Sequence, residues 1–286
     1  MANFLRGFPW RLPPGRSGDP GLYGPGSVTW RVNGEGVLML GGPRALLMQI
    51  AHPAVASGVA RFSDFPADAF ARLWRTVDAM LAVSFGDTEQ AERAVEDVTA
   101  VHRRIRGRAP GGEPYRAMDP ELLLWVHDTL VDSALVVHER FFGKLGESDR
   151  DAYVREMDRQ AVLFGVPPEI LPGSARAFQA YVGETLGSLE VSDEARALAP
   201  PIVRPPVPLA LRPVARFQEL VTVGLLPARL REAYGLRWTA GRARALGASQ
   251  ASIRALAPRL PEIARRWPHA RAAARRAAER PARSSR

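Results

Sequence analysis

Apolar residues along this chain recur at spacings of three and four, and strict alternation is almost absent, so the pattern predicts helices nearly throughout. Residues 43–59 are strongly apolar and read as a buried helix kinked at Pro53, where proline removes a backbone hydrogen bond. Residues 66–85 carry Phe70, Leu73, Trp74, Val77, Met80 and Leu81 as one stripe, the mark of an amphipathic core helix. Thr88 reads as the cap of a helix running to about Arg106, where Gly107 stops it, with Ala91, Val95, Val98, His102 and Ile105 among its inward positions. Asp119 followed by Pro120 opens a helix that is apolar on nearly every side until Gly143, which predicts a central position. Further helices are predicted over 148–164, 174–189, 214–223, 227–234 and 239–267, with 200–213 as a proline-punctuated connection. Residues 27–40 alternate weakly around Asn33 and Gly34, which leaves a short hairpin open there beside helix.

The chain has 286 residues, enough to bury most of its apolar surface in one core, and its 46% hydrophobic content predicts autonomous folding. We divide it into an irregular arm rich in Gly and Pro (1–27), one helical domain (28–264) and a basic, frayed tail (265–286). That tail, with eight Arg and one Glu, supplies +7 of the net charge of +9. The rest is close to neutral, so the charge gives no reason to expect nucleic acid as the partner. No cysteine is present, which excludes disulfides, thiolate metal sites and thiol nucleophiles. No leader-like apolar run opens the sequence and no segment offers about 18 uncharged apolar residues, so a cytoplasmic protein without a membrane span is expected.

Four of the five histidines, His52, His102, His127 and His138, fall on three predicted helices, and His269 lies in the tail. His102 and His127 occupy stripe positions where an aliphatic residue is the norm. A buried imidazole is costly unless its nitrogens find partners, and most such residues are satisfied core histidines. An uncharged imidazole facing an apolar cavity also suits an axial position on haem iron. Arg72, Arg75 and Thr76 stand at i, i+3 and i+4, away from the apolar stripe of their helix. They read either as a solvated face or as partners for carboxylates. There is no dinucleotide or Walker glycine loop, no Glu-x-x-His pair, no His-Glu-x-x-His and no Gly-x-Ser-x-Gly.

In the phrases around AHPAVASGV, FARLWRTVDAMLAVSFG, VHRRIRG, DPELLLWVHDTLVDSALVVHERFF and LFGVPPEILP, the chain resembles the MpaB / latex-clearing protein (rubber oxygenase) family of haem-b oxygenases. The resemblance covers roughly residues 24–181 and continues more weakly to 267. It implies an all-α fold, a single globin-like or bundled helical domain around one haem b, and an oxygenase acting with O2 on an apolar, alkene- or isoprenoid-bearing small molecule. It places the family motif Arg-x-x-x-Thr on Arg72 and Thr76, the axial iron ligand on His102 with His127 as the second choice, and a following basic position on Arg106. Arg75 stands where the rubber enzyme has a lysine able to occupy the distal haem position. Guanidinium is a poor iron ligand, so an open distal side is expected. In this picture Arg72, Arg75 and Arg106 serve the haem carboxylates, and Thr76 with His52 or His127 orders the distal pocket. The competing reading is a non-enzymatic helical haem- or lipid-binding module, or a basic interaction protein.

Overall fold

A computed structural model describes residues 13–62 and 69–279, without the side chains of 69–75. Among the described residues are fourteen α-helices and one two-stranded antiparallel sheet, an all-α architecture. The helices are α1 (Val28–Asn33), α2 (Gly42–Gln49), α3 (Pro53–Phe62), α4 (Ala69–Phe85) and α5 (Thr88–His102), followed by strands β1 (Arg106–Arg108) and β2 (Pro114–Arg116). Then come α6 (Pro120–Phe142), α7 (Glu147–Leu163), α8 (Ala175–Ser188), α9 (Asp193–Val203), α10 (Arg212–Leu225), α11 (Ala228–Ala233), α12 (Ala240–Leu256), α13 (Glu262–Arg265) and α14 (Pro268–Ala278).

Helix α6 is the axis of the fold, packed by α1, α2, α7, α8, α12 and the 3-10 turn Gly36–Gly41. Its all-round apolar character has this cause: Leu124, Trp125, Val131, Leu135, Val137 and Phe141 are buried on different faces. Arg44 of α2 is buried beside it, paired with Asp132 at 2.7 Å and donating to the Ser133 hydroxyl at 2.7 Å and the Leu225 carbonyl at 2.8 Å. The guanidinium thus ties α2, α6 and α10 together, because an unpaired buried charge would be far costlier than these bonds.

Several local expectations change. Proline at 53 does not kink one long helix. It occupies the first position of α3, where its missing N–H costs nothing, and residues 50–52 separate α2 from α3. The cap of α5 is Asp87, which accepts from the Gln90 N–H while the Gln90 side chain accepts from the Asp87 N–H, a reciprocal capping box. Helix α5 stops at His102, and Gly107 lies in β1 rather than at a helix end. Residues 27–40 form α1 and a 3-10 turn, not a hairpin. The hairpin falls at 106–116, where strands of three residues are too short to display alternation.

Helix α9 runs through Pro200 and Pro201, close enough to its C-terminus that little of the hydrogen-bond ladder is lost. Burial of Leu198, Ala199, Ile202 and Val203 offsets that loss. The expected helix over 239–267 ends at Leu256. Residues 268–278 of the basic tail form α14, which packs on α4 and buries His269, Ala270, Ala273 and Arg276.

Candidate functional site

Helices α4 and α5 are joined by two residues and pack along their length, so they form an antiparallel pair. At about 1.5 Å rise per residue, Arg72 on α4 and His102 on α5 each lie about 20 Å from the turn and therefore stand level with one another. Arg75 and Thr76 sit one turn nearer the loop, level with Asp97 and Val98. The structure thus gathers the Arg72, Arg75, Thr76 and His102 positions at one half of one helix pair. The side chains of Arg72 and Arg75 lie outside the described residues. Thr76 is exposed, His102 is half-buried, and both have polar or electrostatic partners.

Helix α3 packs against β1, with Gly58 close to Ile105 and to the Tyr115 ring. The chain then turns into the hairpin, with Arg106 opposite Arg116, Gly107 opposite Tyr115 and Arg108 opposite Pro114. Arg106 is exposed, four residues beyond His102. Close packing puts the Tyr115 ring over Gly107, where an added Cβ would meet the hydroxyl at 2.9 Å.

His52 lies at the entrance to α3, half-buried, with Nδ1 accepting the Ala54 N–H at 3.2 Å. Burial lowers its pKa, opposed by Glu121 in the first turn of α6. A neutral ring whose Nδ1 accepts carries its proton on Nε2, so His52 presents a donor.

His127 is different in kind. It is 6% exposed, its Nε2 has no hydrogen-bond partner, and burial alone lowers its pKa to about 4. It is a neutral imidazole with an unused nitrogen, the state in which imidazole binds a metal. His138, also buried, has an unpartnered Nδ1 and a pKa lowered to about 4 by burial and by Arg31. Among the described residues no group of three His, Cys, Asp or Glu side chains converges as a metal-binding cluster. An axial haem ligand requires only one.

Sequence reasoning missed three buried polar features. His269, placed in a frayed tail, is 1% exposed with both ring nitrogens unpartnered, set edge-on to Trp267. Asp128, beside His127, is 1% exposed with an unpartnered Oδ2. Burial, then Asp158 and Asp132, push its carboxyl up to about 8, and burial pushes Asp158 up to about 6 against a bond from the Gly173 amide. Tyr115 keeps a buried hydroxyl without a partner. Two adjacent ionisable residues inside the apolar run of α6 were the available sign for Asp128. Nothing local marked the other two.

Residues 30–261 match the family model described as the catalytic domain of ER-bound oxygenase mpaB/B' and rubber oxygenase. The chain belongs to this family. The chain is also similar to two uncharacterised proteins, of Mycobacterium bovis and Mycobacterium tuberculosis. Each is 29% identical over 204 residues, covering 68% of this chain and 78% of its own length. No solved structure matches the chain. Among the described residues no helix is long and apolar enough to cross a membrane.

Proposed function

We propose that this mpaB/rubber oxygenase family member is a haem-b-dependent oxygenase acting on an apolar small molecule that bears an alkene or isoprenoid unit. The observation that carries the reading is the level placement of His102 and Arg72 on the α4–α5 pair. It brings the His102 and Arg72 positions to one level of the helix pair, and imidazole and guanidinium are the two groups a haem needs for its iron and its carboxylates. The residues present fit the group, since the chain offers a half-buried imidazole at His102 and a buried, neutral one with an unpartnered Nε2 at His127. When bound, haem b would supply O2 activation at iron.

The remaining work belongs to the chain. His102 would hold the metal, with His127 as the second choice. Arg72, Arg75 and Arg106 would neutralise the carboxylates, since planar guanidinium pairs with carboxylate in bidentate geometry. Arg75, a guanidinium, would not ligate the metal, so one side of the group would be open to substrate and O2. Thr76 contributes a hydroxyl near that side. His52 would donate from Nε2.

An absorption scan after haem reconstitution tests this directly. Wild type is expected to show a Soret band, His102→Ala to lose it and His127→Ala to keep it. A wild-type protein that stays transparent overturns the proposal. O2 uptake with an isoprenoid alkene separates an oxygenase from a haem or lipid carrier, which would consume none.

A further inference from the structure

The hairpin that follows His102 is electrostatically unfavourable as it stands. Arg106 and Arg116 are directly opposed in the register, and like charges so placed destabilise a strand pair. Arg108 lies two residues from Arg106, on the same outward face, while Gly107 and Tyr115 point inward. Arg61, in the last turn of α3, joins them around an open cleft of about 780 Å³ whose other walls include Tyr115 and Asp119. Among the described residues no carboxylate forms a salt bridge with any of these four arginines. Asp119 accepts the Arg116 amide at 2.8 Å and is one carboxylate beside four guanidiniums, and Arg108 also donates to the Gly112 carbonyl.

We infer that this cleft binds the oxyanion head, phosphate or pyrophosphate, of an amphiphilic substrate. A phosphorylated ligand offsets the crowding of positive charge around Arg116, because the guanidinium forks of Arg61, Arg108 and Arg116 can pair with its oxygens in bidentate geometry while Arg106 stays available to the haem carboxylates. The Tyr115 ring packs closely over Gly107, where an added Cβ would meet its hydroxyl at 2.9 Å, and so ties the two arginine-bearing strands together. This assignment of a substrate class rests on the oxygenase reading, whereas binding of the head group does not.

The test is calorimetric titration of the full chain with inorganic pyrophosphate, comparing wild type, Arg108→Ala/Arg116→Ala and Arg108→Lys/Arg116→Lys. Wild type is expected to bind, the alanine pair to weaken binding about tenfold or more, and the lysine pair to recover part of it. Equal binding by wild type and the alanine pair, or no binding by wild type, overturns the site. So does pyrophosphate binding that disappears once haem is loaded, since the arginines would then serve the cofactor's own carboxylates. Vesicles of phosphatidylcholine with and without phosphatidic acid identify the source. Capture by the acidic vesicles, lost in the alanine pair, assigns a lipid head group, and pyrophosphate binding without capture assigns a free phosphorylated molecule. Arginine-dependent retention of duplex DNA without pyrophosphate binding overturns the proposal in favour of a nucleic-acid surface. A protein that binds pyrophosphate through these arginines but shows no Soret band keeps the oxyanion site and loses the oxygenase reading.

Discussion

Arg276, on the final helix, donates from Nη2 to the carbonyl oxygen of Phe85 at 3.0 Å, across 191 positions of sequence. Its Nε donates to the Asp19 carbonyl at 2.9 Å, and its own carbonyl accepts the Gly18 amide at 2.8 Å. Asp19 in turn accepts from both the amide and the hydroxyl of Thr88, and Asp87 accepts the Arg16 amide. The N-terminal arm and the C-terminal helix therefore clamp the turn between α4 and α5, the pair that carries Arg72 and His102.

Arg276→Ala removes two charge-assisted bonds at a buried position. It is expected to destabilise the protein by about 2–3 kcal/mol in urea unfolding. A change below the error of the measurement would mean that the clamp adds nothing to stability.

The buried ionisable groups set the pH dependence of stability. His127 and His138, held down to about 4, contribute stability that is present above 6.5 and lost as pH falls towards 4. Asp128, held up to about 8, contributes stability that is present below 3.8 and lost as pH rises through 8. Above 6.5 the aspartate is the one of these still titrating, so unfolding free energy should fall by roughly 2 kcal/mol between pH 6.5 and 8. Asp128→Asn should abolish that fall. Wild-type stability that is flat over this interval would show that Asp128 is ionised in the fold.

His127→Leu separates a structural from a functional imidazole. The substitution removes a buried nitrogen without a partner, so stability is expected within about 1 kcal/mol of wild type, or higher. The Soret band of the reconstituted protein should survive, because His102 is assigned to the iron. Loss of the band in a stably folded His127→Leu protein would transfer the axial role to His127.

Gly107→Ala is expected to lower stability by about 1–3 kcal/mol, since its Cβ would meet the Tyr115 hydroxyl at 2.9 Å and Cζ at 3.1 Å. Tyr115→Phe deletes that buried, unpartnered hydroxyl and should relieve part of the clash, so the double variant is expected to be more stable than Gly107→Ala alone. Additive thermal shifts for the two changes would show that the contact is not what limits residue 107.

Legibility in the sequence tracked the range of the physics involved. Helix α6 could be placed almost residue by residue, because Asp119, Pro120 and Gly143 act locally and the apolar run between them is unbroken. Helix α8 follows its Ser174 cap in the same way. The break at Pro53 was misread because the same proline either kinks a helix or begins one, and only the packing of α3 against α9 and β1 chooses between them. The hairpin at 106–116 escaped because three-residue strands have no periodicity to display.

The sequence by itself determined the helical class, the central helix, the absence of thiol chemistry and the residue types available to a cofactor. All of these follow from composition and from contacts within a few turns. Only the tertiary structure decided which imidazoles are dry, that α14 is seated through His269 and Arg276, and that Arg106 faces Arg116 across a hairpin. Those facts depend on what lies opposite each side chain, and the partner stands anywhere from ten to more than two hundred residues away.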